Sequence, residues 1–166
     1  MRGNIQEAKQ HLEEAVKIQP GYAEAHSNLG NVFSMQGNPK IAVEHYRKAL
    51  EIDPTFDDTR FNLGMALLYL KDFSGAAEQF QLIIKKRPDF AEGHFLLGNA
   101  YAAGGRLSEA IGEFRATLRL KPDLADGHIG LARALAMTGR KDEAAQHYQR
   151  ALTLLKAQRQ PEAKEK

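Results

Sequence analysis

Apolar residues recur along most of the chain at intervals of three and four positions, and short polar segments separate these stretches. This spacing is typical of amphipathic α-helices, whose apolar side chains share one face. It predicts one helix over 5-18 and four pairs of helices after it, without any strand. The first helices of the pairs are expected at 23-36, 57-70, 91-104 and 125-138, and the second helices at 39-52, 73-86, 107-120 and 141-158.

Start signals precede several of these helices. Proline is tolerated in the first turn of a helix, and Pro39 therefore marks one start. A polar residue followed three positions later by an acid is typical of an N-cap. The predicted caps and acids are Asn4 with Glu7, Thr55 with Asp58, Asp89 with Glu92, and Asp123 with Asp126.

The pattern repeats with a period of 34 residues, as Pro20, Pro54, Pro88 and Pro122 show most plainly. Small residues recur where two helices must cross closely, and a large apolar residue follows each alanine by four positions. The recurring sets are Leu29-Gly30, Leu63-Gly64, Leu97-Gly98 and Leu131-Ala132; Ala8, Ala42, Ala76, Ala110 and Ala144; Leu12, Tyr46, Phe80, Phe114 and Tyr148; and the turn residues Gly3, Gly37, Gly105 and Gly139, with Lys71 as the exception.

At these positions the chain resembles the tetratricopeptide repeat (TPR) family, a 34-residue unit with the pattern W-x2-L-G-x2-Y, then A-x3-F, then P. One departure is clear, because the tryptophan position is occupied by His26, Arg60, His94 and His128. The resemblance implies an all-α fold, a right-handed α-solenoid of helix-turn-helix repeats. It also implies a protein-binding scaffold or adaptor rather than an enzyme.

The same resemblance divides the chain into repeats. The expected parts are a half repeat at 1-22 that holds only a second helix, TPR 1 at 23-56, TPR 2 at 57-90, TPR 3 at 91-124, TPR 4 at 125-158, and a polar tail at 159-166. Two explanations of the half repeat stay open: the chain is a piece of a longer repeat protein, or it begins there. Lys156 replaces the expected proline, and this change predicts a natural end of the array.

Composition narrows the class of partner. The net charge is +2 and 27% of the residues are charged. This mixture of charges argues against the concentrated basic stripe that a nucleic-acid-binding protein needs. The chain has no cysteine, which excludes disulfides and thiolate metal sites. It has no apolar run long enough to span a membrane and no apolar signal core at its start, so we expect a soluble, cytoplasmic location.

The repeat also explains the histidines. His26, His94 and His128 share the fourth position of a repeat, and the others, His11, His45 and His147, share the twenty-third. Equivalent positions of stacked repeats lie about a helix diameter apart, too far for one metal ion. We therefore expect no metal site. The sequence also has no nucleophile motif such as G-x-S-x-G and no phosphate-binding glycine loop, so we expect no cofactor and no catalytic residue.

In the TPR family the first helices line a concave groove that holds a peptide, and the resemblance carries this role to the matching positions here. Several of them are aromatic or methionine, which are common anchors for partners. An acidic row along one edge, Glu24, Asp58, Glu92 and Asp126, favours partners with basic residues beside apolar ones. The predicted groove residues are Asn28, Asn31, Phe61, Asn62, Met65, Tyr69, Phe95, Asn99, Ile129 and Arg133.

Two alternatives remain beside this scaffold. The chain could be the substrate-selecting TPR portion of a larger enzyme, such as a glycosyltransferase. It could also be a structural scaffold that forms homo-oligomers through the uncovered flank of its N-terminal helix.

Overall fold

The computed structural model of the protein describes the backbone of residues 2–159 and the side chains of residues 5–158. Within this part of the chain there are nine α-helices and no strand, as predicted. The helices are α1 (Arg2–Ile18), α2 (Ala23–Met35), α3 (Pro39–Ile52), α4 (Asp57–Tyr69), α5 (Phe73–Lys86), α6 (Ala91–Ala103), α7 (Leu107–Leu120), α8 (Ala125–Met137) and α9 (Lys141–Arg159).

The predicted N-caps are wrong. The residues at the N-cap positions of α4, α6 and α8 are Phe56, Phe90 and Leu124, and none of them makes a side-chain capping hydrogen bond. The Thr55 hydroxyl donates instead to the Asp53 carboxylate, at 2.6 Å. Asn4 lies inside α1 rather than before it. The acids Asp58, Glu92 and Asp126 do lie in first turns, where the helix dipole favours negative charge.

Close helix crossings occur where the recurring glycines predicted them. A Cβ atom on Gly64 would lie 2.8 Å from the Phe80 ring, and one on Gly98 would lie 2.8 Å from the Phe114 ring. Both distances are shorter than van der Waals contact, so only glycine lets the ring of the second helix reach the first. The recurring alanines Ala42, Ala76, Ala110 and Ala144 are buried, whereas Ala8 is exposed.

The turns between paired helices adopt a left-handed backbone conformation. Gly37, Gly105 and Gly139 have φ angles of 75°, 78° and 81°. Lys71 holds the equivalent position with φ 63°, in a region that residues with a Cβ atom adopt at a cost. The sequence exception at this turn therefore keeps the backbone conformation of the other three turns.

The chain divides into two compact units, one up to Ile83 and the other from Ile84 onward, with the boundary inside α5. In the first unit Tyr46 and Phe80 are fully buried, and in the second Phe114 is. The equivalent Leu12 in α1 is half-buried, and Tyr148 in α9 is 38% exposed. The large apolar residues at the recurring position are therefore buried only in the internal helices.

Candidate protein-binding site

Two neighbouring clefts lie on the surface of the first unit. The apolar cleft, of about 360 Å³, lies between the end of α2, the turn after it, and α4. Met65 and Tyr69 of α4 form one wall and are 42% and 77% exposed. The residues that line the apolar cleft are Ser34, Gly37, Pro39, Tyr46, Asn62, Met65, Ala66 and Tyr69.

The polar cleft, of about 480 Å³, lies between the middle of α2 and the start of α4. It shares Asn62 with the apolar cleft, so the two cavities adjoin. Its lining includes two acidic residues, Asp57 and Asp58. The residues that line it are Ser27, Asn28, Asn31, Thr55, Phe56, Asp57, Asp58, Thr59 and Asn62.

A hydrogen-bond network holds the two amides of these clefts in one orientation. Asn31 Oδ1 accepts a hydrogen bond from the Tyr46 hydroxyl at 2.9 Å and another from Asn62 Nδ2 at 3.0 Å. Burial raises the pKa of the Tyr46 phenol, so its hydroxyl keeps the proton that it donates. Asn31 therefore directs its NH₂ group away from this network, and Asn62 keeps its carbonyl oxygen as an acceptor.

Phe61 is less available than the sequence suggested. Its ring packs edge-on against the buried Phe80 ring, with centroids 6.0 Å apart. The side chain is half-buried, so part of its apolar surface already stabilises the first unit. Asn28, by contrast, is exposed at the rim of the polar cleft.

Four of the ten predicted groove residues belong to the second unit, and none of them lines either cleft. Phe95 is half-buried, with its ring centroid 5.9 Å from that of Phe114. Asn99 and Ile129 are half-buried as well, and Arg133 is exposed. Their assignment to a binding site stays a prediction.

Polar side chains replace tryptophan at the fourth position of each first helix and form a recurring bridge. Each side chain hydrogen-bonds the carbonyl oxygen of the proline six residues earlier and a side chain 19 residues later on the second helix. The bridging sets are His26 with Pro20 and His45, Arg60 with Pro54 and Gln79, His94 with Pro88 and Glu113, and His128 with Pro122 and His147.

These bridges join the loop before each pair, the first helix and the second helix. At this position hydrogen bonds therefore hold the two helices and the loop together, whereas the family pattern places a large aromatic side chain there. Among the described residues, no three histidine or carboxylate side chains converge as metal ligands.

Sequence reasoning missed several residues of the two clefts. Tyr46 was assigned to packing alone, and Thr59 was not singled out, although its hydroxyl oxygen lies 2.6 Å from that of Ser27. One signal was present, since Tyr46 is the only recurring large residue of the internal helices that carries a hydroxyl. Its partner could not be read from the chain, because Asn31 is on another helix.

The structure defines a class of protein in which antiparallel helix pairs recur at a fixed period. Family models for the tetratricopeptide repeat match residues 23–56, 61–125 and 125–158, and a TPR repeat model matches residues 2–37. The chain belongs to the tetratricopeptide repeat family, and this membership supports a role as a protein-interaction scaffold. A comparison with curated protein sequences finds no significant match.

Solved structures of repeat proteins share the fold. A crystal structure of MamA superposes with a TM-score of 0.87 at 24% identity, covering 95% of this chain and 92% of that one. MamA from Desulfovibrio magneticus RS-1 gives a TM-score of 0.87 at 24% identity, with coverage of 95% and 89%. YrrB, described as a TPR protein with an unusual peptide-binding site, gives 0.87 at 23% identity, with coverage of 92% and 78%.

No helix in the described part of the chain is both long enough and apolar enough to cross a lipid bilayer.

Proposed function

We propose that the chain is a non-enzymatic interaction scaffold that binds an extended protein segment across α2 and α4 of its first unit. The observation that carries this proposal is the Asn31–Asn62 hydrogen bond, which lies where the two clefts meet. An extended backbone offers a carbonyl and an N–H group to each side. The Asn31 NH₂ group and the Asn62 carbonyl oxygen are the complementary donor and acceptor.

The clefts favour a particular side-chain pattern in the partner. An apolar residue of the segment fits the apolar cleft beside Met65 and Tyr69. Burial of their exposed apolar surface would contribute favourable free energy to binding. A basic residue near that apolar residue lies beside Asp58 of the polar cleft. The occupant that we propose is therefore a segment with a lysine or arginine close to a large apolar residue.

Selection from a random peptide library on the immobilised chain, followed by fluorescence anisotropy with the selected peptides, tests this function. Met65→Asp with Tyr69→Asp is expected to weaken binding at least tenfold, because charge enters the apolar cleft. Helix content measured by circular dichroism should stay unchanged, since neither side chain belongs to the buried core. The same substitution at Phe61 or Phe95 is less informative, because both rings pack on buried phenylalanines.

Leu152→Asp provides the matched control, because Leu152 is 50% exposed on α9, outside the first unit. It should leave peptide affinity unchanged. If the Met65/Tyr69 variant and the Leu152 variant bind the peptides with equal affinity, the clefts are not the binding site.

A further inference from the structure

The pair His26–His45 has a defined distribution of protons. His26 Nε2 lies 3.1 Å from the Pro20 carbonyl oxygen, which can only accept, so Nε2 carries a proton. In the neutral His26 ring, Nδ1 is then the acceptor. His45 Nδ1 lies 3.2 Å from it and must be the donor. The hydrogen bond between α2 and α3 therefore requires an Nδ1 atom without a proton on His26.

His128–His147 repeats this arrangement between α8 and α9. His128 Nε2 lies 2.9 Å from the Pro122 carbonyl oxygen, and the two Nδ1 atoms of the pair are 2.9 Å apart. By the same accounting, His128 accepts at Nδ1 and His147 donates. His128 is buried, so water cannot readily replace this bond.

Protonation of both rings removes the acceptor. If both rings of a pair are protonated, two N–H groups and two positive charges face each other across the contact, and the hydrogen bond is lost. One proton can enter at Nε2 of the donor ring without breaking the bond, but it places a charge beside the second ring. The hydrogen bond of each pair therefore forms at neutral pH, and protonation of both rings breaks it.

The surroundings of His45 resist its protonation on balance. Burial lowers the pKa of His45 first, and His26 lowers it further, whereas Glu44 and Glu13 act in the opposite direction. On its other side the His45 ring stacks on Phe33, with centroids 5.3 Å apart. Lys9 of α1 lies over that phenylalanine ring, at 4.9 Å from its centroid.

His147 has a similar environment. Burial lowers the pKa of His147 first, followed by His128 and Arg115, and Glu143 acts against them. Glu143 is itself paired with Arg140 at 2.6 Å and with Arg115 of α7 at 3.5 Å.

His94 shows the opposite chemistry at the same position. Its Nε2 atom lies 3.0 Å from the Pro88 carbonyl oxygen, and its Nδ1 atom lies 2.6 Å from Glu113 Oε2. Both partners are acceptors while Glu113 is ionised, so the imidazolium satisfies them together and a neutral ring satisfies only one. A proton on His94 therefore strengthens the contact between α6 and α7.

We propose that His26–His45 and His128–His147 are proton-sensitive latches, which hold α2 to α3 and α8 to α9 at neutral pH and open on acidification. The His94–Glu113 contact has no second imidazole, so a proton on His94 does not bring two N–H groups together there. Acid thus loosens the first and fourth helix pairs selectively. The latches do not depend on whether the clefts bind a peptide. If peptide binding is not found, the proposal for the histidine pairs still stands.

Long-range ¹H–¹⁵N correlation spectra of the histidine rings test the proton positions directly. At pH 8, His26 and His128 are expected as Nε2–H tautomers, and His45 and His147 as Nδ1–H tautomers. On lowering the pH to 5, backbone amide signals of α2 and α8 should shift or broaden more than those of α6. An Nδ1–H tautomer at His26 and His128, or equal responses of α2, α8 and α6, would overturn the proposal.

Urea unfolding as a function of pH measures the energetic consequence. A histidine whose folded pKa lies below its unfolded value of about 6.5 binds fewer protons when folded, so stability falls as the pH drops through the window below that value. As the pH falls from 7.5 to 5, the unfolding equilibrium constant should rise by a few-fold to about 30-fold for each of His45 and His147, the upper limit corresponding to a ring that takes up no proton when folded.

The variant His45→Gln with His147→Gln should flatten this pH dependence. Glutamine is chosen because Gln79 occupies the equivalent position and accepts from Arg60 at 3.1 Å. His11→Gln is the matched control, since His11 shares the sequence position but is exposed on α1. The proposal is wrong if the double variant keeps the wild-type pH dependence, or if His11→Gln flattens it equally. If the double variant does not fold, the ring spectra of the wild-type protein still test the proposed proton positions.

Discussion

Lys71 holds a left-handed backbone conformation that three glycines adopt at the equivalent turns. This conformation brings Cβ close to the carbonyl oxygen that follows and costs a non-glycine residue about 1–2 kcal/mol. Glycine removes that cost but loses more chain entropy on folding. The steric cost is the larger of the two, so the balance favours glycine at this position, as at the other three turns.

Lys71→Gly is therefore expected to raise the free energy of unfolding by about 0.5–1 kcal/mol. Urea unfolding at pH 7.5 measures it. The reverse substitution at the matching turn, Gly105→Lys, should lower the free energy of unfolding by a similar amount. A loss of stability in Lys71→Gly would show that the lysine side chain contributes more than its backbone strain costs.

At the scale of the element, the contact between paired helices depends on one missing side chain. Gly64 faces the Phe80 ring, and Phe80 is fully buried. Gly112 of α7, by contrast, has no atom within 4 Å of the position where its Cβ would lie. The two glycines occupy helices of similar length but opposite environments.

Gly64→Leu should reduce the free energy of unfolding by about 1–3 kcal/mol or more, because overpacking forces α4 away from α5. Gly112→Leu should be neutral or raise stability by up to about 1 kcal/mol, since leucine is the better helix former and its Cβ atom has open space around it. Thermal unfolding followed by circular dichroism compares them. Equal effects in the two variants would contradict the close-approach explanation.

Most of the helices could be predicted from the chain because helical periodicity is local. The expected ends agree with the structure to within about one residue at both helices of each pair. The caps could not be predicted in this way. Thr55 has the right chemistry for an N-cap, but its hydroxyl bonds Asp53 in the preceding turn, and Phe56 takes the cap position.

At the scale of the whole molecule, the exposed apolar surface outside the clefts bears on self-association. Ile18 at the end of α1 is 77% exposed, whereas other apolar side chains of this helix, such as Leu12 and Val16, are half-buried. A homo-oligomer built through this flank would cover it. The flank is distinct from the clefts between α2 and α4.

Ile18→Lys should therefore leave stability within about 0.5 kcal/mol of the wild type, as is usual for surface substitutions. It should also leave peptide affinity unchanged. Light scattering over a concentration series should give a lower average mass for the variant if this flank mediates association. A wild-type mass equal to the monomer at every concentration would exclude self-assembly through α1.

The amino-acid sequence by itself determined the period, the helix pairs, the close crossings and the family, because each depends on residues near one another in the chain or on equivalent positions of the repeat. Only the tertiary structure decided which side chains meet between helices. It orients Asn31 through Tyr46 and Asn62, buries one face of Phe61, and places His26 against His45. Such contacts depend on the rotation and separation of packed helices, which a linear pattern does not specify.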